Sequence, residues 1–128
     1  MDPGRTMTLA NLKEWNKNLV NAMRDQKLIN GFTDPYGTTW GTTPADITNL
    51  SGVCVLIACG AVTSNQIWRD LNNVDHVMTP PQLIQLAGAL AMSVRQNYVN
   101  SWTHKANIDA LQTIADVHIY DITTGWSS

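Results

Sequence analysis

Apolar residues recur at three- and four-residue steps at Leu12, Trp15, Leu19 and Met23, while Lys13, Lys17, Asn21 and Arg24 take the other side. This spacing predicts an amphipathic first helix over about Leu9 to Lys27, with a stripe that needs a partner to cover it. Thr8 is placed to cap the helix and Asn30-Gly31 to stop it, because a threonine hydroxyl accepts from first-turn N–H groups and glycine tolerates positive φ. From Asn30 to Thr43 the period disappears. Asn30-Gly31, Asp34-Pro35, Tyr36-Gly37 and Trp40-Gly41 are successive turn pairs and predict a loop. A loop of this length is uncommon in a compact domain unless it functions or lies against a partner. Phe32, Tyr36 and Trp40 are therefore interface candidates; the alternative is that the three rings cap the edge of the core.

Thr43-Pro44-Ala45-Asp46 reads as a helix start, with a capping hydroxyl, proline in the first turn and a carboxylate facing the N-terminus. Ile47, Leu50, Cys54, Ile57 and Ala61 share one face, but Val55, Leu56 and Cys59 fall on others, so this helix is expected to be buried nearly all round. The β-branched residues of Val53 to Ala58 also suit a strand, and the pattern leaves both open. Short alternating runs on either side of Asn72-Asn73 predict a β-hairpin at about 66–78. Thr79-Pro80-Pro81-Gln82 repeats the capping logic and opens the longest helix, to about Trp102, with Leu83, Ala87, Leu90, Val94 and Tyr98 as its core stripe and Leu86, Ala91 and Trp102 beside it. Met92 and Val99 lie almost opposite that stripe. They are interface candidates, unless the first helix or the 30–43 loop folds over them. A shorter helix at Lys105 to Leu111, a turn at Thr113 to His118 and a tail closing on Gly125-Trp126 complete the chain, Trp126 being expected to hold the tail down.

No internal repeat is visible at this level. The expectation is a mainly α (α+β) fold: one small helical domain over 1–128, of four or so helices with one β-hairpin at about 66–78. Residues 1–30 form its N-terminal amphipathic helix and 31–43 an aromatic loop.

Composition narrows the function classes. A chain of 128 residues suits one domain and buries about two-thirds of its extended surface without staples. Cys54 and Cys59 lie five positions apart in an apolar stretch, a poor geometry for a disulfide on a helix, and read as buried small hydrophobes. The net charge of −2 and the scattered Lys and Arg argue against a nucleic-acid partner. No basic residue follows Lys105, whereas Asp109, Asp116 and Asp121 do, an asymmetry that suits either head-to-tail neighbours or ordinary solvated faces. Met1-Asp2-Pro3-Gly4 does not read as a leader, and the apolar run Val53 to Cys59 is too short to span a bilayer, so membrane insertion is not expected. Charged residues are only 14% of the chain. Its polar surface must come largely from Asn, Thr, Gln and Ser, which resist burial against a partner less than Lys and Glu do. His76, His104 and His118 fall in no metal-ligand spacing, and no nucleophile elbow, phosphate loop or carboxylate pair appears; neither an enzyme nor a cofactor or metal is expected.

Trp68, Asp70 and Asn72, then Met78-Thr79 and the helix after it, then Lys105, Ile108-Asp109-Ala110 and the closing Asp121 to Gly125-Trp126 resemble a domain of unknown function found mostly in tailed bacteriophages and prophages, commonly at the C-terminal end of tail-fibre or related proteins. The resemblance covers Gln66 to Trp126. It departs at the end, where Ser127 follows Trp126 in place of the usual proline. What it implies is a virion structural protein of the tail, made in the host bacterial cytoplasm, attached to other tail or fibre proteins and repeated by symmetry or as a homo-oligomer, with Trp126 joining the interface candidates. A transient tail-fibre assembly chaperone and a small glycan-binding module using Phe32, Tyr36 and Trp40 are the alternatives.

Overall fold

The computed structural model describes residues 7–127. The order is α1 (Leu9–Asn30), β1 (Phe32–Thr33), β2 (Thr39–Trp40), α2 (Pro44–Ala58), β3 (Gln66–Arg69), β4 (Asp75–Met78), α3 (Pro80–Ala110) and α4 (Ile114–Ile119). The fold is mainly α with a small β part. The helix starts follow the local chemistry. Thr8, Thr43 and Thr79 each accept from the backbone N–H three residues on, and Asp46 and Gln82 return the bond to their caps. Residues 53–58 are helix, since the capping box and proline at Thr43-Pro44 set a helical phase that Val and Ile then follow.

Two elements depart from the sequence reading. The 31–43 segment is not a bare loop: Phe32 pairs with Trp40 and Thr33 with Thr39, giving a second antiparallel hairpin too short to show alternation. The long helix does not stop at Trp102 but runs on to Ala110, absorbing the shorter helix expected after it.

Long helix α3 is the spine. α2 and both hairpins cover its first half around Trp40, Leu50, Leu83, Leu86 and Leu90. α1 runs antiparallel along its second half, with Arg24 over the Tyr98 ring, Lys105 donating to Asn21 and Lys17 bridging to Asp109. Lys17 thus meets the Asp109 carboxylate, and Lys13 the Asp109 carbonyl, within one chain. This contact also rotates α1 relative to its expected stripe. Leu12, Val20 and Leu28 are buried, whereas Trp15 is 53% exposed and Leu19 also faces out, because long amphipathic side chains rather than leucines form the α1–α3 seam.

Along α3 the buried row is Leu83, Leu86 and Leu90, then Ser93, Asn97, Ser101, His104 and Ile108. Its second half is mostly polar, and Trp102, expected beside the core stripe, is exposed. α2 is not buried all round either. Leu50 is its one fully buried residue, while Val55 is 65% exposed and Cys59 lies at the surface, because α3 covers only one side of it.

The structure also contains an internal repeat that the sequence reading missed. In the first hairpin Asp34 accepts from the N–H groups of Tyr36 and Thr38 and from the Trp40 indole; in the second, Asp70 accepts from those of Asn72 and Val74 and bonds the His76 ring. Gly37 and Asn73 occupy the same turn position, both at positive φ. A constant offset of 36 residues carries Asp34 to Asp70, Trp40 to His76, Thr43 to Thr79, Leu50 to Leu86 and Gly52 to Gly88. Each unit is a hairpin locked by one aspartate followed by a Thr-Pro-capped helix, and the units meet where the Trp40 and His76 rings lie 4.9 Å apart.

Candidate functional site

Asp34 builds the outer wall of the candidate site. Its Oδ1 accepts from the N–H groups of Tyr36 at 2.9 Å and Thr38 at 3.0 Å, and its Oδ2 from the Trp40 indole at 3.0 Å. Partial burial pushes this carboxyl up, but the Trp40, Thr38 and Tyr36 donors outweigh it and hold the group below the usual carboxylate range. The turn is pinned at three points. Tyr36 at its tip is 94% exposed, while Trp40 turns inward and is 4% exposed.

The opposite wall is the outer face of α3. Gln82, Gln85, Ala89, Met92, Gln96 and Val99 follow one another at three- and four-residue steps, which aligns them along one side of the helix. Between that face and the first hairpin run two grooves that share Phe32 and Ala89. The apolar one, about 480 Å³, is lined by Phe32, Met92 and Val99 with Gln96 and Arg95 at its edge, and Ser127 closes it. The more polar one, about 660 Å³, lies among Tyr36, His76, Val77, Gln82 and Gln85. A smaller groove of about 320 Å³ flanks Trp40 on its other side and is lined by Asp46, Asn49, Trp68 and Arg69.

Of the six residues singled out from the sequence, Phe32, Met92 and Val99 meet in the apolar groove and Tyr36 stands over the polar one. Met92 is 72% exposed and Val99 partly so; neither α1 nor the first hairpin folds over them. Trp40 is a core residue that offers only an edge to the grooves, so as a partner-contacting ring it drops out. Trp126 is half-buried and structural: its indole donates to the Ile122 carbonyl and its ring stacks on His104.

The polar row of α3 explains the tail. His104 bonds the Tyr120 hydroxyl at 2.7 Å and the Thr124 carbonyl at 2.8 Å; Asn100 donates to the same carbonyl, Gln96 to that of Gly125, and Asn97 accepts from the Ser127 N–H. Asparagine and histidine are buried here because they hold a strip of irregular backbone whose polar groups need partners, and Ser93 meets the Ser127 hydroxyl, whereas Ser101 donates back to the Tyr98 carbonyl of its own helix. These residues were missed in the sequence, as their polarity hides them from a hydrophobic periodicity. The strip ends beside the apolar groove and fixes one of its edges.

His76 and Asp70, 2.8 Å apart, form the nearest approach to an acid–base pair, and the hydrogen bond from His76 followed by the backbone donors Val74 and Asn72 holds Asp70 below the usual carboxylate range. Asp70 is used up in locking its hairpin. Among the described residues, no group of three or more His, Cys, Asp or Glu side chains is arranged to hold a metal ion, and no helix is long and apolar enough to cross a membrane.

The model of one protein family, Domain of unknown function (DUF4376), matches residues 11–124. The chain belongs to this family. The match takes in α1 and the first hairpin, so the DUF4376 region begins well before the stretch whose motifs resemble the phage domain, and both hairpin–helix units lie within it. The family description assigns no activity. No curated protein and no solved structure matches the chain significantly.

Proposed function

We propose that this DUF4376 chain is a structural protein of the bacteriophage virion, associated with the tail fibre or baseplate, which attaches to neighbouring tail or fibre subunits and carries out no chemistry of its own. The observation that carries the attachment role is the apolar groove of Phe32, Met92 and Val99. A helix face with an exposed methionine and valine beside a partly buried phenylalanine is apolar where a solitary domain gains nothing from being so. Its surroundings suit burial. Arg95 is the single charged residue among the described residues of the lining, and the flanking side chains are amides and hydroxyls that desolvate at modest cost. The phage and tail part rests on the motifs of Gln66 to Trp126.

The occupant is an apolar segment of another tail subunit, or of a second copy in a symmetric ring, which would need a heterologous interface that closes. Quantitative mass spectrometry of particles purified from a producing bacterium tests this reading. Fixed copies per virion are expected; recovery from infected-cell extract but not from particles would transfer the chain to the assembly-chaperone class, and recovery from neither would remove the phage reading.

A further inference from the structure

The more polar groove has a chemistry of its own. The ionisable side chains described in its lining are already engaged: Asp34 accepts three internal hydrogen bonds, and His76 is bonded to Asp70. What remains free is an aromatic ring and amides. Tyr36 is held out by the Asp34-locked turn, so its ring is presented without further loss of backbone freedom. Gln85 lines the facing wall and makes no hydrogen bond among the described residues, and Gln82 keeps its amide N–H₂ because only its oxygen serves the Thr79 cap.

The internal repeat adds an independent observation. The smaller groove on the other side of Trp40 is the counterpart of this one, with Asp46 and Asn49 at the helix positions of Gln82 and Gln85. Its charges are satisfied as well, Asp46 by the N–H and hydroxyl of Thr43 and Arg69 by Asp75, and Asn49 makes no hydrogen bond among the described residues. Both grooves thus offer an unengaged side-chain amide at the same place and, among the described residues, no unpaired Lys or Arg. The smaller has Trp68 in its wall but no ring at the turn tip, since Asn72 stands at the position of Tyr36.

From this we infer that the larger groove binds a neutral, hydroxyl-rich ligand, a short stretch of uncharged glycan. The Tyr36 ring packs against a sugar face, and the Gln82 and Gln85 amides exchange hydrogen bonds with its hydroxyls. A volume of about 660 Å³ lies within the ordinary range for small-ligand sites, roughly 300–1,000 Å³. Phosphorylated and acidic sugars are disfavoured because, among the described residues, no Lys or Arg lines the groove. The smaller groove is the weaker counterpart, lacking the exposed ring at the turn tip.

The inference does not depend on the attachment role of Met92 and Val99, and the test keeps the two apart. The whole chain is applied to an array of neutral and acidic bacterial surface oligosaccharides, alongside Tyr36→Ala, Gln85→Ala, Asn49→Ala, Met92→Lys and Ile119→Ala variants, each checked for an unchanged melting temperature. Neutral oligosaccharides should be retained, at least ten-fold more weakly by Tyr36→Ala and Gln85→Ala, only slightly more weakly by Asn49→Ala, and unchanged by Met92→Lys and Ile119→Ala. Retention of acidic oligosaccharides alone, retention indifferent to Tyr36 and Gln85, or a blank array overturns the proposal. A blank array together with loss of particle incorporation in Tyr36→Ala would hand the groove to a protein partner.

Discussion

Gly31→Ala is the substitution whose cost follows most directly from the geometry. Gly31 joins α1 to the first hairpin at φ 82°, ψ −169°, a region that only glycine occupies readily. An added Cβ would overlap the Trp40 carbonyl oxygen and come within 3.1 Å of Leu71 Cδ2. The carbonyl belongs to backbone paired across the hairpin, and Leu71 is tied to the same hairpin by its N–H to the Thr39 carbonyl, so neither yields without moving the wall of the grooves. Backbone strain of about 1–3 kcal/mol with the displacement added gives a loss on the order of 3–4 kcal/mol. In a domain of this size that is a fall in Tm of roughly 10–15 °C. Two controls isolate the cause. Gly37 has φ 86° but open space around its Cβ, so Gly37→Ala should cost only left-handed strain, about 1–2 kcal/mol. Gly52 sits inside α2 with nothing near its Cβ, so Gly52→Ala should stabilise by about 0.5–1 kcal/mol. Urea unfolding of the three variants reads the series directly. A Gly31→Ala midpoint indistinguishable from wild type, or one no lower than that of Gly37→Ala, would refute the reasoning.

Trp126→Ala should cost about 2 kcal/mol, less than a fully buried tryptophan because the residue is only partly buried, and Trp126→Phe should recover most of it by keeping the stack on His104; thermal unfolding with no change in either variant would show that the tail is not anchored there. Thr79→Ala removes one side of a reciprocal cap and should cost about 1 kcal/mol, measured as a shift in urea midpoint. The depressed carboxyls of Asp34 and Asp70 contribute stability above the unfolded-state value of about 3.9, which is lost as pH falls through their lower folded values. The urea midpoint should therefore drop below about pH 4, and Asp70→Asn should flatten that drop while lowering stability at neutral pH; a midpoint indifferent to acid in wild type would contradict the locked-hairpin description.

Local signals in the sequence were legible wherever the chemistry is local. The Thr-Pro starts at Thr43 and Thr79, the stop at Gly31 and the positive φ at Asn73 each depend on a few adjacent residues. Features set by distant partners were not. The hydrophobic pattern puts Trp15 and Leu19 toward the core because it cannot know that α1 meets α3 through Lys17, Asn21 and Arg24. It also passes over Ser93, Asn97 and His104, which bond the C-terminal strip, and over Ser101, whose hydroxyl is satisfied by the Tyr98 carbonyl of its own helix. The repeat escaped because its units share little beyond an aspartate, a Thr-Pro pair, a leucine and a glycine, and because His76 replaces Trp40 with a different ring bearing the same hydrogen bond to an aspartate. The grooves are legible only in part: Met92 and Val99 declared themselves by lying off the core stripe, whereas Gln82 and Gln85 look like any solvated amides until the first hairpin is set against them.

The central claim is that the groove of Phe32, Met92 and Val99 attaches the chain to its neighbours in a tail. Incorporation of a Met92→Lys, Val99→Lys double variant into particles, measured against wild type by quantitative mass spectrometry, tests it most directly. Both side chains face solvent, so the variant should fold with a Tm within a few degrees of wild type while its copy number in purified particles falls at least ten-fold. A folded double variant present at wild-type copy number would contradict the account, since a buried attachment groove does not accept two ammonium groups.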